Sequence, residues 1–318
     1  MFTLVTACMN REEHLRQNLP KWLGLPQITE IVVVDWSNRR FLGDLRSVDP
    51  RVRVVRVEDE AKWILSYAYN VGIAAATQPI ILKCDADCIP RAEVLALVPE
   101  TSSFYAGNSK SGTPVNKTSV NGQCIFRKAQ FEAVNGYSEL IRTYGRDDED
   151  FYDRLIAAGC ARREIRPDLL DFIGHSDEAR MANQFADGQT VLSVEQTIQR
   201  LPLYHEMYNG FLALNSTWGP GRARARYQEV RSEDRLTVLR RDPSTEIPVP
   251  IEIHRDARLF ALRYVAAQIA NFPRKFTDRL DEQACLNLIV SRTKSLSANQ
   301  PKSPARRGHS SRQPAMAR

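Results

Sequence analysis

Continuous apolar runs alternate with helically spaced ones along the first 90 positions of the 318-residue chain. FTLVTAC, EIVVVDWSN, RVRVVRVE and PIILKCDAD predict four strands, the second and fourth apolar on both faces. Between the first two, NREEHLRQNLPKWLGL places Leu15, Leu19, Trp22 and Leu23 on one side of a helix that Pro20 should kink or shorten. WILSYAYNVGIAAAT reads as a second helix. Strands alternating with helices imply a mostly parallel, doubly wound α/β sheet, in which ligands bind beyond the carboxyl ends of the strands. Asp35, Asp85 and Asp87 all fall at such ends.

Beyond Pro90 the pattern changes. AEVLALVPE predicts a helix, and NGQCIFRKAQFEAVNGY a strand followed by a short helix stopped at Asn135 and Gly136. The loop YGRDDEDF leads into a helix from about Asp148 to Ala158, with Asp148 as its N-cap and Phe151, Leu155 and Ile156 facing inward. LLDFIGHSD predicts a short strand ending near His175. From about Asn215 glycines, prolines and mixed charge suggest a connector, followed by two amphipathic helices, RDARLFALRYVAAQIANF and DRLDEQACLNLIVSRTK. The expected organisation is a main domain over 1–215, divided near residue 90, a connector and helical extension over 216–295, and a disordered basic tail over 296–318.

Charge refines this picture. The seven basic residues between Arg292 and Arg318, with no acid among them, exceed the whole net charge of +6. The body is therefore nearly neutral, and no nucleic-acid partner is expected. The tail is expected to be solvated, with attachment to an anionic membrane surface or a protein through it and the helical extension as the alternative. Six scattered cysteines without a CxxC pair suit a reducing cytoplasm, so a cytoplasmic or inner-membrane-peripheral location is expected. The opening MFTLVTACMN lacks a basic region before its apolar run and reads as structural chain rather than a signal peptide.

Three features carry chemistry. Asp85 and Asp87 lie two residues apart where a buried strand ends, so mutual repulsion and desolvation both oppose their charged forms. A positive group is expected there, and Mn2+ or Mg2+, which take one or two carboxylates plus phosphate oxygens, fit the donor type. Asp147, Asp148, Glu149 and Asp150 form the second feature, since one or two acids would satisfy a helix N-terminus and four exceed that need. A carboxylate at a helix entrance beside flexible Gly145 is suitably placed for a general base. His175, at an expected strand end, would complete a mixed oxygen and nitrogen donor set that manganese tolerates.

The order of VTACMNRE, VVVDWSN, YNVGIAAATQPIILKCDADC, NGQCIFRKAQFEAVNGY, YGRDDEDFYDRL and FIGHSD resembles a GT-A glycosyltransferase of family 2 type. The second half is similar to the galactosyltransferase and N-acetylgalactosaminyltransferase domains of β-1,4-galactosyltransferases and chondroitin polymerases. The resemblance covers about residues 2 to 180. It implies a GT-A fold and a UDP-sugar donor, with Thr6, Ala7 and Arg11 in the first nucleotide-binding loop, Asp35 on the uracil or ribose and Asn70 lining the nucleotide pocket. It further implies that Asp85 and Asp87 are a DxD pair, that His175 completes the metal site, and that Asp147 and Asp148 stand for a Glu-Asp pair with Asp148 as base. The implied reaction is inverting transfer of a hexose or N-acetylhexosamine to a hydroxyl of a glycan or other acceptor.

Departures from the motifs bear on the sugar more than on the reaction. Tyr144 stands where a tryptophan is usual, Arg146 where a small residue is usual, and DWSN replaces DDGS, which leaves Trp36 either to stack on the base or to fill space. Two other functions fit parts of the pattern. A sugar nucleotidyltransferase shares the parallel sheet and carboxylate-held metal, but TACMNREEH has no phosphate-binding glycine. A silent glycan-binding or scaffold module would not need the intact DAD and DDED segments.

Overall fold

The computed structural model describes residues 1–112, 119–174, 198 and 201–298. Four strands, β1 (Phe2–Cys8), β2 (Ile28–Trp36), β3 (Val52–Glu58) and β4 (Ile80–Lys83), form the parallel centre of a nine-stranded sheet in the order β3-β2-β1-β4. The chain runs outward from β1 to β3 and then returns to the other side of β1 as β4. This reversal opens a crevice at the carboxyl ends of β1 and β4, the position at which such sheets bind ligands.

Strand alternation explains the two cores. On β2, Ile31 and Val33 join Leu15, Leu19 and Trp22 of helix α1 (Glu12–Leu23) on one face. Val32 and Val34 join Tyr67, Ala68 and Val71 of helix α2 (Leu65–Ala75) on the other. Pro20 sits inside α1 without ending it. α2 lies unusually close to the sheet, since a Cβ at Gly72 would come within 2.6 Å of Val34 and 2.7 Å of Val5.

The doubly wound expectation holds for this centre and stops at β4. The next strand along, β7 (Cys124–Arg127), runs antiparallel to β4, with Cys124 opposite Lys83. It is followed by β6 (Ser103–Ala106) and β8 (Ala161–Glu164). Because β7 starts where β4 ends, residues just before β7 arrive at the mouth of the DAD strand. Helix α3 (Lys128–Ala133) stops as expected, with left-handed backbone at Asn135 and Gly136. Helix α4 (Asp147–Ala157) packs Phe151 and Tyr152 into an aromatic cluster with Phe126, Phe131 and Tyr137, the Tyr137 and Phe151 rings stacking at 4.6 Å. That packing aims the acidic start of α4 at the same mouth. A separate two-stranded sheet pairs β5 (Cys88–Pro90) with β9 (Leu170–Phe172).

Four expectations change. Ile156, expected on the inward face of α4, is exposed, and Phe151, Tyr152 and Leu155 are the buried hydrophobic side chains of that helix. Residues Ala92–Ala96 form a single 3₁₀ turn rather than a helix, because Pro90 and Pro99 confine the segment. Asp148 is not an N-cap: Arg146 holds that position with φ of 68°, and Asp147 begins the helix. The segment after Asn215, expected as a connector, contains a hairpin, β10 (Tyr227–Glu233) with β11 (Leu236–Arg241), whose second strand pairs in parallel with β3. Leu236 and Val238 supply the buried face that this pairing requires, and Arg241 ties the hairpin to buried Glu60.

Helix α5 (Pro202–Asn215) precedes the hairpin, and α6 (Ile251–Ala270), α7 (Arg274–Thr277) and α8 (Glu282–Ala298) follow it. The chain divides into compact units at 1–261 and 262–318. Among the described residues no helix is long and apolar enough to cross a membrane. All six cysteines are buried and free.

Trp22 is fully buried and donates from its indole to the Cys88 carbonyl at 3.0 Å, linking α1 to the segment after the DAD motif. Trp22→Ala is expected to cost about 3–5 kcal/mol in stability, measured by guanidinium unfolding.

Candidate functional site

Asp85 lies beyond the end of β4, with its side chain about one-third exposed (34%) and held by three neighbours. Its Oδ1 accepts from the Tyr69 hydroxyl at 2.8 Å and from Lys83 Nζ at 3.2 Å, and its Oδ2 accepts from Gln123 Nε2 at 2.9 Å. The Gln123 amide oxygen in turn accepts from the Asp85 backbone N–H at 3.0 Å. Gln123 reaches Asp85 because the antiparallel β7 begins beside the end of β4. Asp87 is buried, and its carbonyl accepts from the Ile173 N–H at 2.9 Å, joining the motif to the segment after β9.

The expected positive group is first of all a residue of the chain. Lys83 is completely buried, its ammonium 4.5 Å from the centre of the Tyr69 ring. It donates to the Gly122 carbonyl at 2.6 Å and lies 3.0 Å from Asp148 Oδ1. Burial alone would pull its pKa down, but Asp148 and Asp85 outweigh burial and push it up, so Lys83 stays charged. Burial pushes the Asp148 carboxyl up to about 6, against the opposing pull of Lys83, which leaves Asp148 mainly ionised near neutrality. The Tyr137 hydroxyl donates to Asp148 Oδ1 at 3.0 Å and fixes its orientation. Asp147 is pushed well above the carboxylate range, by burial and then by Asp148, and its Oδ1 accepts from the Asp148 N–H at 3.0 Å.

The remaining acids of the motif divide by role. Asp150 pairs with Arg154 at 2.7 Å on α4 and serves the helix, whereas Glu149 accepts from Asn121 at 2.7 Å at the mouth. The loop before α4 is clasped from α5: buried Asn209 Nδ2 donates to the carbonyls of Thr143, Tyr144 and Gly145 at 3.2, 3.0 and 2.8 Å. This clasp holds the left-handed backbone at Arg146, a conformation that costs a non-glycine residue about 1–2 kcal/mol.

The other residues expected at a nucleotide site have the following surroundings. Asp35 is fully buried, and its oxygens accept from Arg56 NH1 at 2.8 and 2.9 Å, from the Asn38 backbone and side chain at 3.0 and 2.7 Å, and from the Leu42 N–H at 3.0 Å. Its lone pairs are spent on the loop after β2. Asn70 is also spent: its side chain bonds the Tyr137 N–H and carbonyl and Glu139, fastening α2 to the 137–139 turn. Trp36 fills space, buried with its indole N–H on the Lys62 carbonyl at 2.9 Å. Thr6 and Ala7 line the buried end of β1, where the Thr6 hydroxyl has no hydrogen-bond partner. Arg11 is half-buried at the entrance of α1. His175 lies outside the described residues, and among those described no three metal-binding side chains converge.

Asp85 and Asp87 nevertheless fit a hard divalent cation. Both are oxygen donors at one strand tip, and Asp85 is oriented by hydrogen bonds, as ligating carboxylates are. Lys83, Tyr69, Gly122, Gln123 and Tyr137 were not singled out from the sequence. The lysine carried a legible signal, a cation inside an otherwise apolar strand, IILK.

The roles separate in unfolding experiments. Asp35→Ala removes the acceptor of half-buried Arg56 and of the Asn38 and Leu42 N–H groups and is expected to cost about 1–3 kcal/mol, measured by urea unfolding.

Residues 103–176, from β6 through α4 to β9, match the family model described as the N-terminal domain of galactosyltransferase. Beta-1,4-galactosyltransferase 7 of Mus musculus and that of Homo sapiens are each 27% identical over 134 residues, which is 41% of this chain and 41% of theirs. The chain thus spans about two-fifths of the length of these curated relatives. Among solved structures, the catalytic domain of Drosophila beta1,4galactosyltransferase 7 in complex with xylobiose is 16% identical with a TM-score of 0.48, covering 80% of this chain and 98% of that one. Glucosyl-3-phosphoglycerate synthase from Mycobacterium tuberculosis, in complex with Mn2+, UDP and phosphoglyceric acid, is 13% identical with a TM-score of 0.46, covering 72% and 83%. The stretch that brings Gly122, Gln123, Tyr137, Asp147 and Asp148 around Lys83 is the stretch this chain has in common with the galactosyltransferase family model.

Proposed function

We propose that the chain is a metal-dependent, inverting glycosyltransferase of GT-A, family 2 type, moving a galactose- or GalNAc-like sugar from a UDP-sugar to a hydroxyl of a glycan or other acceptor. The observation that carries the reading is the convergence of Asp148, from the helix after the glycine loop, with Asp85 of the DAD strand on one ammonium. A buried carboxylate held near pKa 6 suits a general base better than an exposed one, because its proton affinity lies close to the working pH. The galactosyltransferase match over 103–176 supports the same assignment.

Asp148 removes the proton of the acceptor hydroxyl as that oxygen attacks the anomeric carbon. The new C–O bond forms while the bond to UDP breaks on the opposite face, so configuration inverts and the electron pair leaves with the diphosphate. Asp147 steadies the backbone N–H of Asp148, and the Tyr137 hydroxyl, donating to Oδ1, orients its carboxylate. Asp87, Asp85 and His175 are the residues that would hold Mn2+ or Mg2+. A divalent cation bound there supplies Lewis-acid stabilisation of the leaving diphosphate. Free, buried cysteines support a reducing, cytoplasmic setting, and the basic tail supports peripheral attachment to an anionic membrane or a protein.

The deciding experiment measures UDP release from UDP-galactose, UDP-GalNAc and UDP-glucose, with and without MnCl2; release no faster with metal than without it, from all three, sinks the reading. Asp148→Asn is expected to keep UDP binding and lose about 10²–10⁴ in rate, read by steady-state kinetics beside calorimetry. Asp87→Ala is expected to abolish the manganese dependence of UDP binding, so equal affinities with and without manganese in the parent chain would remove Asp87 from the metal site.

A further inference from the structure

Lys83 stands between the two halves of the site, on β4, and neither the DAD motif nor the acidic helix includes it. Its three N–H bonds have three oxygen acceptors: the Gly122 carbonyl at 2.6 Å, Asp85 Oδ1 at 3.2 Å and Asp148 Oδ2 at 3.3 Å, with Asp148 Oδ1 3.0 Å away. The two carboxylates come from elements 63 positions apart in the chain and are also oriented by Tyr137 and Tyr69. With every N–H engaged and its charge buried, Lys83 has no proton to spare for the reaction and no freedom to swing out to a ligand.

Gly122 completes the arrangement. A Cβ built on it would lie 2.5 Å from Asp85 Oδ2, 3.3 Å from Lys83 Nζ and 3.4 Å from Asp148 Oδ2. The backbone there is not left-handed, so glycine is required for space and not for conformation. Three charged groups therefore surround one bare Cα, whose own carbonyl anchors the ammonium.

We propose that Lys83 is a positioning residue and Gly122 its floor: the ammonium, seated between the donor-side Asp85 and the base Asp148, holds the two carboxylates at a fixed separation. The proposal rests on the transferase reading. It differs from a purely structural role in one respect. A cation beside Asp85 repels a metal ion, so removing it should leave metal binding intact while the reaction fails.

The test uses the full chain with Lys83→Met. MnCl2 alone, titrated by calorimetry or electron paramagnetic resonance, is expected to bind as tightly as to the parent or a few-fold tighter. KM for UDP-galactose is expected to stay within about threefold, while kcat for UDP release falls at least about 100-fold, the pattern of an interaction needed in the transition state alone. A kcat within about fivefold of the parent overturns the proposal, as does loss of Mn2+ binding and kcat together in a protein whose circular dichroism is unchanged. Should Lys83→Met fail to fold, Gly122→Ala takes its place, with the ammonium retained; it is expected to lower kcat at least about tenfold at unchanged Mn2+ affinity, and an undiminished kcat overturns the proposal. A thermal-denaturation cycle of Lys83→Met, or Gly122→Ala in its place, with Asp148→Asn needs no turnover: additive Tm losses overturn the proposal, and losses well short of additive support it. Failure of the parent chain to release UDP would instead strike the transferase reading and leave the cycle to decide the role of Lys83.

Discussion

An ammonium withdrawn entirely from water must be neutralised within hydrogen-bond reach, because the uncompensated cost runs to several kcal/mol. At Lys83 that requirement is met only if β4, the start of β7 and the N-terminus of α4 arrive together. Each supplies something the others lack. β4 brings the cation and Asp85, the turn before β7 a carbonyl and an open glycine, and α4 a second carboxylate. The site is thus a consequence of charge compensation in the core as much as a surface feature.

The surrounding architecture enforces this meeting. Reversal of chain direction at β1 and β4 opens the crevice, and the antiparallel turn to β7 puts Gly122 and Gln123 at its edge. The aromatic cluster under α4 fixes the helix axis, while Asn209, reaching in from α5, fixes the loop that enters it. α5 lies outside the stretch matched to the galactosyltransferase model, so part of the support for the acidic helix comes from beyond that stretch.

Hydrogen bonding also sorts acids that look alike in sequence. Asp35 and Asp85 both end parallel strands, yet Asp35 has every lone pair spent on Arg56, Asn38 and Leu42, whereas Asp85 keeps part of its surface in water. Asp150 and Asp148 lie two residues apart on one helix, yet one faces Arg154 along the helix and the other faces the core lysine. Strand-end position selects candidates, and the number of donors already aimed at each carboxylate decides among them.

Much was settled by local pattern. Continuous apolar runs marked β1 to β4 because a strand covered on both faces needs both side-chain sets apolar, and Asn135 with Gly136 marked the stop of α3 because few residues adopt left-handed backbone cheaply. The DAD and DDED acids were visible because four like charges exceed what a helix start needs. Lys83 was visible too, as a cation in IILK, but its role depended on partners at positions 122 and 148, and pairings at that separation leave no periodic trace. The hairpin at 227–241 was missed for a related reason: its outer strand is an exposed edge rich in charge, and its inner strand gains a buried face only when β3 is already beside it. The amino-acid sequence by itself determined which segments could be strands or helices and which side chains could carry the chemistry. Tertiary structure alone decided which of them meet, because charge neutralisation and hydrogen-bond saturation depend on distances between elements far apart in the chain.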